Sequence, residues 1–102
     1  MNIEEYIKRR SATQNNIPYE NRQMKTLLVA SNALNAETGE VANIINKHIR
    51  NLISRETLHE ELVKELGGVF WNWIEICEIL HVTPEQVFEK NIEELKERWK
   101  IN

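Results

Sequence analysis

The sequence predicts an all-α fold, a bundle of about four helices forming one domain over residues 1–102. Three observations carry that prediction. Glycine and proline number only three and two, so few positions interrupt a helix. Apolar residues recur three and four apart along most of the chain, the period of a helix with one buried side. Two segments also open with helix start signals, Thr57 with Glu60 and Thr83-Pro84 with Gln86.

The first helix is expected from about Asn2 to Gln14, with Ile3, Tyr6 and Ile7 on one side and Lys8, Arg9 and Arg10 as a solvated end. NNIPYEN supplies a turn, because Pro18 restricts Ile17 to extended backbone. A second helix is expected from about Glu20 to Asn46 or a little beyond. Its stripe is Leu27, Ala30, Leu34, Glu37, Val41, Ile44 and Ile45. The third opens at the Thr57 capping box and continues to Leu80, with Leu58, Leu62, Leu66, Val69, Trp73, Ile76 and Leu80 in line. The fourth opens at the Thr83 cap and turns Val87, Phe88, Ile92, Leu95 and Trp99 inward. At ~1.5 Å per residue two of these helices reach about 35–40 Å. That is more than so short a chain covers alone, so a homodimer is expected to complete the bundle. The tryptophans Trp71, Trp73 and Trp99 read as core rather than as stacking platforms.

Composition excludes several classes. Hydrophobic residues make up 41% and charged residues 28%, ordinary values for a soluble domain, which argues against disorder and membrane residence. A net charge of −3 gives no general pull toward nucleic acid, whose binding rests on many Lys and Arg contacts to phosphate. The opening MNIEEYIKRR lacks the apolar stretch of a signal peptide, and the lone Cys77 suits a reducing compartment and a packing role. A cytoplasmic location is expected, in the host cytoplasm if the chain is phage-encoded. His48, His59 and His81 share no spacing that suggests a zinc site.

One stretch breaks the pattern. In LNAETGEVA, Glu37 occupies a stripe position where an apolar residue belongs, and Glu40 lies three residues on. Glu65 repeats the anomaly in the third helix, between Leu62 and Val69. Carboxylates removed from water need a cation, and oxygen-only ligation suits Mg²⁺ or Mn²⁺. On spacing alone, this reading stands level with that of solvated glutamates at a stripe edge.

The ordered set LNAETGEVA with Lys47, then ELGGVFW, then TPEQVFEKNIEELKER resembles the MazG-like family of all-α nucleoside triphosphate pyrophosphohydrolases. The resemblance covers nearly the whole chain. It implies an antiparallel helical bundle, a homodimer or a dimer of dimers, that hydrolyses nucleoside or deoxynucleoside triphosphates to monophosphate and pyrophosphate with Mg²⁺. It further implies metal and catalytic roles for Glu37, Glu40 and Glu65, with Lys47 and Asn91 meeting the substrate.

Two positions depart from the family pattern. Gly68 stands where the family carries a second acid, an Asp, and Glu94 stands where it carries a Lys. Glu61 and Asn72, one turn to either side of the Glu65–Gly68 segment, are candidates to supply an oxygen instead. Lys96 and Arg98 are further candidates for substrate contact. On helical spacing an Asp at position 68 would add a ligand beside Glu65. The alternative function is a non-catalytic or weakly active member that binds nucleotide or another protein.

Overall fold

The structure, a computed structural model, describes residues 1–15 and 27–101. Among them are four helices and no strand: α1 (Ile3–Asn15), α2 (Leu27–Ile49), α3 (Arg55–Ile79) and α4 (Pro84–Trp99). The all-α class is thus observed. The turn expected at Pro18 and the start expected at Glu20 lie outside the described residues.

A hairpin of α2 and α3 forms the frame. Asn51 closes α2 with a left-handed φ of 61°. Its N–H donates to the His48 carbonyl, and the Leu52 N–H donates to the Lys47 carbonyl, both at 2.9 Å. This pair of bonds satisfies the last carbonyls of the helix, and asparagine tolerates the left-handed backbone it requires. The chain then reverses. Glu37, twelve residues before the end of α2, meets Gly68, thirteen residues after the start of α3. Near-equal distances from the turn make the two helices antiparallel.

The start of α3 corrects the expectation. Ser54 is the cap, its Oγ accepting from the Thr57 N–H at 3.1 Å, and Thr57 lies inside the helix. Both hydroxyls are able to cap. The earlier one does so because the chain is already helical there, with the Leu58 N–H bonded to the Ser54 carbonyl at 2.9 Å. α4 begins as expected. Thr83 Oγ1 accepts from the Gln86 N–H at 3.1 Å, the Thr83 N–H donates to Gln86 Oε1 at 2.8 Å, and Pro84 is the first helical residue.

Helix α3 touches all three others. It meets α2 at Gly68, α1 through the Tyr6 and Phe70 rings at 5.4 Å, and α4 through the Trp73 and Phe88 rings at 5.9 Å. A helix contacted on three sides has no single buried stripe. Its deepest residues are therefore Asn72, Ile74, Glu75 and Cys77, while Leu66 and Leu80 of the expected stripe are about half exposed. Burial also pushes the Cys77 thiol up, which suits packing rather than nucleophilic chemistry. On α2, Ala30 and Ile44 are buried as expected, whereas Leu27 and Ile45 are exposed. Trp71 and Trp73 are half-buried, but Trp99, expected in the core, is 67% exposed at the open end of α4.

Arg10 is the largest correction. Expected in solvent, it is 1% exposed. It lies one turn from Tyr6 on α1, so the helix period carries it to α3 along with that ring. Its Nε donates to the Trp71 carbonyl at 3.2 Å, and its Nη1 donates to Gln14 Oε1 at 2.9 Å and to Glu78 Oε2 at 3.0 Å. Its Nη2 pairs with Glu75, to which Gln14 Nε2 also donates at 2.7 Å. The guanidinium further lies 4.5 Å from the centre of the Trp71 ring. A buried charge is tolerated here because every face of the fork has a partner.

Candidate functional site

Glu37 projects from the same side of α2 as Ala30 and Ile44, and the antiparallel pairing sets it over Gly68. A Cβ on Gly68 would lie 2.6 Å from Glu37 Oε2 and 2.9 Å from its Cδ. The carboxylate therefore rests against the α3 backbone at a position without a side chain. Glu65 is one turn earlier on α3. Its carboxyl is held above the ordinary value, first by its hydrogen bond with Glu37, then by desolvation, then by the Glu37 charge. Two carboxylates within hydrogen-bond reach share a proton or require a cation.

The sign of the pH effect follows. The folded value of Glu65 exceeds the unfolded one, so the contribution of this pair is present at acid pH and is lost as pH rises through the raised value. Glu37→Gln is expected to bring the Glu65 titration midpoint down, read from the side-chain carboxyl carbon by NMR. An unmoved midpoint would contradict the pairing.

Glu40, one turn after Glu37, is exposed. Among the described residues no three His, Cys, Asp or Glu side chains gather as metal ligands, so two of the three expected acids meet and Glu40 stands apart. Glu61 is half-buried one turn before Glu65. Lys47 is exposed in the last turn of α2, about 15 Å along the helix from Glu37. On α4, Asn91 lines a shallow groove with Val82, Gln86, Val87, Lys90 and Glu94. Lys96 and Arg98 are exposed, and Arg98 is paired with Glu94. Among the described residues no hydrogen bond or ion pair joins Asn91, Lys96 or Arg98 to Glu37 or Glu65.

A side chain at Gly68 would meet only the flexible end of Glu37, so an Asp there fits once that carboxylate shifts to one side. Asn72, one turn on, is 8% exposed, and its Nδ2 donates to the Gly68 carbonyl at 2.9 Å.

The donor set fits a hard divalent cation. Two partly exposed carboxylates from facing helices converge, Glu37 holds the Glu65 carboxyl above its ordinary value, and all the oxygens are of the kind that Mg²⁺ and Mn²⁺ take. The family model described as MazG nucleotide pyrophosphohydrolase domain matches residues 25–101, about three quarters of the chain, and that range includes Glu37, Glu40 and Glu65. No curated protein and no solved structure matches the chain.

Proposed function

Because the chain belongs to the MazG nucleotide pyrophosphohydrolase family, we propose that it hydrolyses a nucleoside or deoxynucleoside triphosphate to monophosphate and pyrophosphate with Mg²⁺, or Mn²⁺ in its place. The observation that carries this reading is the meeting of Glu37 and Glu65 across α2 and α3. These two residues would hold the cation, with Glu40 as the third acid from the next turn of α2. When bound, the ion polarises phosphoryl oxygens and offsets charge on the leaving pyrophosphate. A bound cation would favour the ionised form of Glu65 that the neighbouring Glu37 disfavours. Lys47 meets phosphate charge from the end of α2, and Asn91, Lys96 and Arg98 supply further substrate contacts from α4. The test is a panel of nucleoside and deoxynucleoside triphosphates with Mg²⁺ or Mn²⁺, assayed for pyrophosphate.

A second reading, nucleotide binding without turnover, is favoured by two residues. Gly68 offers no carboxylate, and Glu94 draws Arg98 into an ion pair. A triphosphate analogue with an uncleavable α–β bridge separates the two readings. Under the second, the analogue with Mg²⁺ raises Tm while no triphosphate on the panel is turned over.

A second copy of the chain completes the bundle, as a homodimer or a dimer of dimers. The single chain leaves Leu28, Ile49, Val63, Ile92 and Trp99 each more than half exposed. Its radius of gyration is 16.5 Å, against ~13 Å for a compact chain of this length. Its accessible surface is 8028 Å², about 2,000 Å² above the ~6,000 Å² usual for its mass. An excess of that size matches what obligate partners bury. Sedimentation equilibrium at micromolar concentration is expected to give a dimer or tetramer, and a stable monomer would contradict this.

A further inference from the structure

Gly67 and Gly68 are adjacent in α3 and weaken the helix alike, but only one has a neighbour. A Cβ on Gly67 would meet nothing within 4 Å, whereas one on Gly68 would meet Glu37 Oε2 at 2.6 Å, Cδ at 2.9 Å and Oε1 at 3.4 Å. Any other residue at 68 requires the flexible end of Glu37 to shift from this position. Helix propensity does not distinguish the two glycines. The carboxylate does.

Asn72 converges on the same residue from the next turn. The residue is 8% exposed, and its Nδ2 is tethered at 2.9 Å to the Gly68 carbonyl. That carbonyl only accepts, so the NH₂ end of the amide must face it and Oδ1 is the end left over. Among the described residues no donor bonds Oδ1. A buried acceptor without a donor is uncommon and points to a group that fills it. Nothing else in the helix requires a polar side chain there, since the Gly68 carbonyl lies within the continuous hydrogen-bonded run of α3.

We propose that Gly68 and Asn72 are parts of the cation site, Gly68 as the seat that holds the Glu37 carboxylate against α3 and Asn72 as a neutral oxygen donor, through Oδ1, to the same divalent ion. The inference rests on the cation reading of Glu37 and Glu65 given above. It means that the site replaces a side chain at 68 with space for Glu37 and a carboxamide one turn on, a mixed carboxylate and amide oxygen set that Mg²⁺ and Mn²⁺ accept.

The experiment is a titration of the full chain with Mn²⁺ alone, following free Mn²⁺ by electron paramagnetic resonance. Gly67→Ala is expected to keep the wild-type Kd. Gly68→Ala and Asn72→Leu are expected to weaken it about tenfold, the loss usual for a residue that supports or completes a metal site. Asn72→Asp keeps an oxygen and adds charge, so it is expected to bind at least as tightly as wild type. A purely structural Asn72 gives the reverse order, because a carboxylate facing the Gly68 carbonyl is worse than leucine. Wild-type affinity in Gly68→Ala and Asn72→Leu, with affinity lost in Glu37→Gln, would overturn the proposal and leave the carboxylate site standing. Wild-type affinity in Glu37→Gln as well would overturn both.

Discussion

Glu37→Gln is expected to lower Mg²⁺-dependent pyrophosphate release by about a hundredfold or more, roughly 2.7 kcal/mol on the barrier, while helix content and Tm stay at or above wild type. Glutamine keeps the shape that fills the seat on Gly68 but removes the charge, so the variant separates cation binding from packing. Stability does not suffer because the wild-type carboxylate stands beside Glu65, whose carboxyl is raised by that contact. Glu65→Gln is expected to match it. The double variant should be little worse than either single one, since two residues that hold one ion act as a unit. A loss of less than about threefold in either single variant would remove these residues from the reaction.

The second large effect is on stability. Arg10→Met removes a guanidinium whose side chain is fully buried and leaves Glu75, 5% exposed at its side chain, without its cation. Breaking one half of a buried pair costs about 3–5 kcal/mol, which in a domain of this size lowers Tm by more than about 10 °C. The paired variant Arg10→Met with Glu75→Met is expected to recover most of that loss, because a well-packed apolar pair replaces a buried ion pair at little cost. Thermal unfolding at fixed protein concentration reads both. A single variant within about 1 kcal/mol of wild type would show that α1 is held by the Tyr6 and Phe70 contact alone.

The residues explain why some of this was legible in the sequence. Helix periodicity and capping chemistry are local, so the α4 start at Thr83, Pro84 and Gln86 followed directly from residue type. The α3 start did not, because Ser54 and Thr57 are both competent caps and the choice depends on how far the helix extends toward the turn. Glu37 stood out because a carboxylate interrupted an otherwise apolar line. Arg10 carried the same signal, a charge on the side of Tyr6, yet its neighbours Lys8 and Arg9 made it look like part of a solvated cluster. Its partners Glu75 and Glu78 lie more than sixty residues away, and no local rule reaches that far.

The candidate site divides in the same way. Two stripe anomalies on neighbouring helices made convergence of Glu37 and Glu65 one of two level readings, the other being solvated glutamates at a stripe edge. Gly68 was visible only as a departure from a pattern, a missing acid, because sequence spacing does not say what occupies the space a missing side chain leaves. The Glu37 carboxylate occupies it. Helix length already implied more apolar stripe than the chain covers alone, but periodicity did not say which residues are left open, and Ile92 and Trp99, expected inward, are among them.

The most direct test of the central claim is the product ratio from one deoxynucleoside triphosphate with Mg²⁺, with monophosphate, diphosphate, pyrophosphate and orthophosphate quantified in the same reaction. Monophosphate and pyrophosphate are expected in equal amounts, with no diphosphate and with loss of both products on chelation of the metal. Diphosphate with orthophosphate, or no product from any triphosphate while the folded chain remains assembled, would contradict the claim.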